Sequence, residues 1–169
     1  MAAVIIIALL YIIFRDQSMV QKNNETPAAT ALLPDDEQSF TTLTGEPATV
    51  ADSFGDIMVV SSWASWCPQC TGDFPKLGEV AAEFKDKDVI VYAVNRGEDT
   101  YSAERYLNTI QKPEHVEFLL DQSDYFFKNS EGYAMPETIV YNKKGEVVLH
   151  QRGELRVDEL KDTLKKLTE

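Results

Sequence analysis

Hydrophobic and polar positions divide the chain into three zones. From Ala2 to Phe14 the residues are almost all apolar. From about Asp16 to Asp36 they are Gln, Asn, Thr, Ala, Pro and acidic types with little apolar periodicity. Beyond that, short apolar runs alternate with stretches of helical spacing. Residues Phe40 to Val50 alternate loosely around Thr44-Gly45-Glu46-Pro47, which predicts a short hairpin. Ile57-Met58-Val59-Val60 predicts a strand over about 57–62. Phe74, Leu77, Val80, Ala81 and Phe84 then recur at helical spacing, with Pro75 expected to kink that helix.

The next run, Val89 to Val94, is continuously apolar and fits a central parallel strand buried on both faces. Ala103, Tyr106, Leu107 and Ile110 define a helical face over about 100–111. Val116 to Leu120 is a further strand, and Ser123 is placed to cap a brief helix carrying Tyr125, Phe126 and Phe127. Thr138 to Tyr141 and Val147 to Leu149, joined by Asn142-Lys143-Lys144-Gly145, predict a hairpin. A last helix carries Val157, Leu160, Leu164 and Leu167. After the leading hairpin the order is β-α-β-α-β-(α)-β-β-α. Parallel strands joined by helices and closed by an antiparallel hairpin and a helix predict an α/β, thioredoxin-like fold, a central mixed sheet flanked by helices, with an N-terminal β-hairpin extension.

The three zones imply three parts: a membrane anchor over 1–15, a flexible tether over 16–37, and a folded domain over 38–169. A full membrane span needs about 20 apolar residues, so the first run is short; a true start further upstream is one explanation. No basic residue precedes it and no small-residue cleavage site closely follows Phe14, so the anchor is expected to remain uncleaved. Arg15 and Lys22 after the run weakly favour the opposite orientation. The 169 residues carry a net charge of −12, which argues against a nucleic-acid partner and against adhesion to anionic membrane surfaces.

The chemistry concentrates in the only two cysteines, Cys67 and Cys70, in the stretch Trp63-Ala64-Ser65-Trp66-Cys67-Pro68-Gln69-Cys70. The pair falls where a strand gives way to a helix. Unpaired N–H groups and the positive end of the helix dipole favour a thiolate there. A free cysteine has a pKa of about 8.5, which falls to about 3.5–7.5 at such helix N-termini. Cys67 is therefore expected to be the nucleophile, and Cys70, one turn further in, to resolve the mixed disulfide. Pro68 suits the first turn, and Trp63 and Trp66 are placed to wall the site from water. A zinc site would need four ligands, and only His115 and His150 are available to join the pair. A structural disulfide would close too short a loop to constrain much. A copper- or zinc-binding thiol module stands as the alternative of a different class; for the redox reading no metal and no cofactor beyond the Cys67–Cys70 pair is expected.

The site stretch, followed by Asp73-Phe74-Pro75-Lys76-Leu77, resembles the membrane-anchored thioredoxin-like oxidoreductases of the TlpA/ResA/DsbE type. So do Met135-Pro136-Glu137-Thr138, Asn142-Lys143-Lys144-Gly145-Glu146 and Arg152-Gly153-Glu154-Leu155. The similarity covers roughly Ser39 to the C-terminus. It implies that Pro136 is a cis-proline facing the dithiol, with Met135 offering its backbone to a substrate's cysteine segment beside Trp66 and Pro68. It implies proton-transfer roles for Glu137 and Asp73, because Ser61 stands where thioredoxin has a buried Asp. By the same resemblance the chain is expected to be an extracytoplasmic thiol–disulfide oxidoreductase. Its expected partners are cysteine-containing protein substrates, with the haem-attachment cysteines of apocytochrome c among them, and a membrane electron-donor thiol protein. The same residues run backward would make a disulfide-forming oxidase.

Overall fold

The structure is a computed structural model in which residues 40–53, 55–130 and 132–169 are described. The proposed anchor over 1–15 and tether over 16–37 lie outside them. Seven strands form one sheet: β1 (Phe40–Thr42), β2 (Pro47–Ala48), β3 (Ile57–Trp63), β4 (Val89–Arg96), β5 (Val116–Asp121), β6 (Glu137–Tyr141) and β7 (Val147–Arg152). Their order is β2-β1-β5-β4-β3-β6-β7. The helices are α1 (Pro68–Gly72), α2 (Phe74–Phe84), α3 (Thr100–Leu107), α4 (Tyr125–Asn129) and α5 (Val157–Thr168), with a 3-10 turn over Val50–Ser53.

β3, β4 and β5 are parallel neighbours, and β1 and β6 close the two sides antiparallel. The strand sequence β3, β4, β5 runs one way across the sheet. Two right-handed crossovers in that direction put their helices on the same face. The packing agrees: α2, α3 and α5 bury Leu77, Val80, Phe84, Leu107, Leu160 and Leu164 against Val59, Val91 and Val140. The opposite face carries Met58, Val60, Tyr92, Val94, Ile139 and Tyr141, covered by Phe40, Val50 and Phe126. β4 is the central strand, as its unbroken apolar run predicts. The leading hairpin is present as well, with Gly45 at φ 83° in its turn.

Three boundaries differ from the sequence expectation. The helix after the cysteines does not run through to Phe84 with a kink at Pro75; it breaks at Asp73 into α1 and α2. Pro75 then occupies the first turn of α2, where its fixed φ and missing N–H are favourable. α3 ends at Leu107, where the Asn108 N–H turns back to the Glu104 carbonyl. The brief helix α4 has Asp124, at φ 57°, as its first flanking residue. Its free N–H groups are taken by neighbours instead: Ser123 Oγ accepts from Tyr125 N at 3.3 Å, and Asp121 Oδ2 from Phe126 N at 2.7 Å.

Candidate active site

Parallel strands deliver their carboxyl ends to one edge of the sheet, and that edge carries the cysteines. β3 ends at Trp63, and its indole is locked before the chain turns. Trp63 is 1% exposed, edge-on to Phe74 and Phe118 at ring distances of 5.5 and 6.0 Å, and donates from Nε1 to the Ala93 carbonyl at 3.3 Å. The loop that follows is tied to the end of β4. Glu98 accepts from Ser65 N at 2.7 Å and from Asn95 Nδ2 at 2.6 Å, and Ser65 Oγ lies 2.5 Å from its other oxygen. Buried Asn95 and half-buried Glu98 thus fix the approach to Cys67.

Cys67 is the residue that caps α1. It is joined to Cys70 by a disulfide of S–S length 2.04 Å, with the two Cα atoms 5.4 Å apart. Its Sγ accepts from the Cys70 backbone N–H at 3.2 Å, so an amide of the helix's first turn points at the sulfur. Such a donor favours negative charge on that atom once the bond is reduced. Both cysteines are packed into the same cluster as Trp63 and Phe74, Cys67 at 6% exposed and Cys70 at 2%. Trp63 does wall the pair from below. Trp66 does not: it stands 61% exposed beside Cys67, with Pro68 and Gln69 also on the surface.

Pro136 enters the site from the other side of β3. β6 pairs antiparallel with β3, with Thr138 opposite Ser61, so the residues before Glu137 reach the edge where Trp63 ends. The Met135–Pro136 peptide bond is cis, Pro136 is buried, and Met135 packs on the cluster that holds the cysteines. Ser62 clamps this turn. Its Oγ accepts from Glu137 N at 2.8 Å and lies 3.3 Å from the Glu137 carbonyl and 3.5 Å from Met135 Sδ. Gly153 N donates to the Pro136 carbonyl at 2.8 Å.

The two acids singled out from the sequence flank the site without bonding to it. Asp73, 2% exposed, sits in the break between α1 and α2. Its Oδ2 accepts from Leu155 N at 2.9 Å and its Oδ1 from Lys76 Nζ at 2.7 Å. Glu137 is fully buried. Alternation along β6 puts it on the face of Ile139 and Tyr141, opposite the cysteine cluster. Its Oε1 accepts from Tyr133 N at 2.8 Å and Ala134 N at 3.2 Å, and its Oε2 is bonded to His150 Nε2. Among the described residues no hydrogen bond joins either carboxyl group to a cysteine. Ser61 Oγ, behind the pair, meets Thr138 Oγ1 at 2.9 Å.

The Redoxin family pattern matches residues 21–167. The chain belongs to the Redoxin family. This Redoxin chain is similar to the thiol-disulfide oxidoreductase ResA of Bacillus thuringiensis subsp. konkukian, 23% identical over 128 residues, 76% of this chain and 73% of that protein. It is also similar to the thiol:disulfide interchange protein DsbE of Pseudomonas aeruginosa, 30% identical over 111 residues, covering 61% of this chain and 54% of that one. The solved structure of MTB DsbF superposes with a TM-score of 0.69 at 27% identity, covering 82% and 98% of the two chains. The fold is thioredoxin-like, and the protein is a thiol–disulfide oxidoreductase of the ResA/DsbE type with a Cys67–Cys70 pair.

Ser62, Asn95 and Glu98 were not legible as site residues in the sequence, and His150 was singled out there only as a candidate metal ligand. Only the first two carry a usable signal: they lie at the carboxyl ends of strands β3 and β4, where sites on parallel sheets collect.

Proposed function

We propose that the protein is an extracytoplasmic reductase of protein disulfides, held at a membrane by residues 1–15. The haem-attachment cysteines of apocytochrome c are its substrate class, and a membrane thiol protein is its electron donor. The apolar run and polar stretch before Asp36 support the location, and the ResA and DsbE relatives, named for thiol–disulfide exchange, support action on disulfides. Among the described residues no helix is long and apolar enough to cross a membrane.

The observation that carries the chemistry is the capped Cys67, whose sulfur takes the Cys70 amide while Met135 packs on the same cluster. A donor dithiol first reduces the Cys67–Cys70 bond, supplying two electrons. The Cys67 thiolate attacks one sulfur of the substrate disulfide, and the other leaves as a thiolate. The Cys70 thiolate then attacks Cys67 Sγ, expelling the second substrate thiolate and restoring the enzyme disulfide. Pro136 and Met135 present backbone to the substrate segment, and exposed Trp66 and Pro68 receive its side chains. Asp73 and Glu137 serve this reaction by fixing the segments on either side of the pair, as their bonds to Leu155, Tyr133 and Ala134 indicate.

The reduction potential of the couple, measured by equilibration in graded thiol/disulfide buffers, tests the direction. A value near about −270 mV is expected for the reductase; one near about −120 mV makes the protein a disulfide donor and removes the cytochrome reading.

A further inference from the structure

Nothing in the exchange chemistry requires His150, yet it lies against the most deeply buried acid among the described residues. Its side chain is 17% exposed and bonded to Glu137 Oε2, while Glu137 itself is inaccessible. Strand register explains the meeting. β7 pairs with β6 so that Ile139 opposes His150 and Glu137 opposes Arg152, and period-two alternation turns Glu137, Ile139, His150 and Arg152 to one face. Gln151, between them, points the other way and bonds Arg156 and Glu159 at the start of α5.

The basic side chains around Glu137 are therefore His150 and Arg152 from β7. Arg152 Nε stands 3.8 Å from Oε1, too far for a hydrogen bond, and its guanidinium lies 5.1 Å over the Tyr133 ring. The remaining lone pairs of Oε1 hold the backbone N–H groups of Tyr133 and Ala134. These two residues begin the turn that delivers Met135 and Pro136 to the cysteines. A single carboxyl group thus links β7 to the backbone of that turn, and His150 fixes the oxygen that the turn does not use.

We propose that His150 is a positioning residue for disulfide exchange: through Glu137 it holds the Tyr133–Pro136 turn in the shape that pairs with a substrate's cysteine segment. The inference rests on the reading of the chain as a reductase of protein disulfides. With His150 removed, Oε2 loses its partner inside a closed site, and the carboxyl group must reorient or admit water. The turn then loosens where substrate backbone pairs, while the sulfurs, packed on the opposite face, are untouched.

The test follows a single turnover of the prereduced full chain against an excess of each of two oxidised probes, KM and kcat being the half-saturating probe concentration and the limiting rate of that turnover. One is a peptide with two cysteines in an internal disulfide; the other is a small aromatic disulfide that needs no backbone pairing. His150→Leu is expected to raise KM for the peptide about tenfold, with kcat and the small-disulfide rate within about twofold of the parent. His150→Gln, whose amide reaches the same oxygen, is expected to restore KM. Amide exchange at Tyr133 and Ala134 should quicken in His150→Leu and not in His150→Gln. If the leucine variant does not fold, His150→Asn, polar but too short to reach Glu137, takes its place. An unchanged KM, an equal loss on both probes, or failure of His150→Gln to rescue overturns the proposal. A parent chain that reduces neither probe overturns the reductase reading beneath it, and this proposal with it.

Discussion

Replacing Asp73 separates a structural acid from a proton carrier. Its carboxyl group is 3% exposed and holds the Leu155 N–H at 2.9 Å, so that the loop entering α5 is pinned to the break between α1 and α2. Leu155 is itself buried in the main cluster, and water cannot readily replace the lost acceptor. A hydrogen bond to a charged group contributes about 1.5–3 kcal/mol, and leaving its buried donor unpaired costs a similar amount. The Lys76 partner is on the solvent side and also bonded to Glu154, so that ion pair adds little. Asp73→Ala is therefore expected to lose about 2–3 kcal/mol. In urea this is a fall of about 1 M in the midpoint at an unchanged slope. Asp73→Asn keeps an acceptor for Leu155 and should lose less than half as much. Its exchange rate with a small disulfide should stay near the parent's. A full-stability Asp73→Ala would refute the anchoring argument, and an Asp73→Asn that folds normally but exchanges far more slowly would make the carboxyl a proton carrier after all.

Tyr141 offers a stabilising change. Its hydroxyl is buried with no hydrogen-bond partner among the described residues, and burial pushes its pKa well above the ordinary tyrosine value. The folded state therefore holds the phenolic proton more tightly than the unfolded chain. Stability from this group is complete below about pH 10, the unfolded value, and is lost as the pH rises through the higher folded one. Tyr141→Phe should raise stability by up to about 1 kcal/mol at neutral pH and soften the alkaline decline, both read by urea titration; a less stable variant contradicts this account. Gly78 tests close packing: a Cβ there would lie 2.6 Å from Pro113 Cβ. Gly78→Ala should destabilise, although alanine favours a helix by about 1 kcal/mol, because overpacking costs about 1–3 kcal/mol. A gain in melting temperature would show that the Pro113 loop yields freely.

Legibility in the sequence followed the range of the interaction. Elements whose order comes from their own residues were readable: the continuous Val89 to Val94 run announced a strand buried on both faces, and Thr44-Gly45-Glu46-Pro47 announced its turn. The break at Asp73 was not, because Pro75 reads equally as a kink or as a first-turn residue. The choice is made by Leu155, far along the chain, whose N–H claims the Asp73 side chain. The α4 start was legible only in part: Ser123 accepts the Tyr125 N–H as expected, but the next one, from Phe126, goes to Asp121 on β5.

The site divides along the same line. The cysteines are legible in their own Cys-x-x-Cys spacing, and Pro136 through the family resemblance that its neighbours carry. What holds them is assembled across strands: Ser62 against Glu137, Glu98 against Ser65, His150 against Glu137. Each of these bonds ties a segment that leads to the site to a residue distant in sequence, brought near by strand pairing or by the loops that leave paired strands. A one-residue slip of β7 on β6 would turn His150 to the α5 face and bring Gln151 to the carboxyl, leaving the cysteine motif intact and the Tyr133–Pro136 turn without its outer support. The pairing of β6 with β7, at the edge of the sheet away from the nucleophile, is thus part of what makes the motif a site.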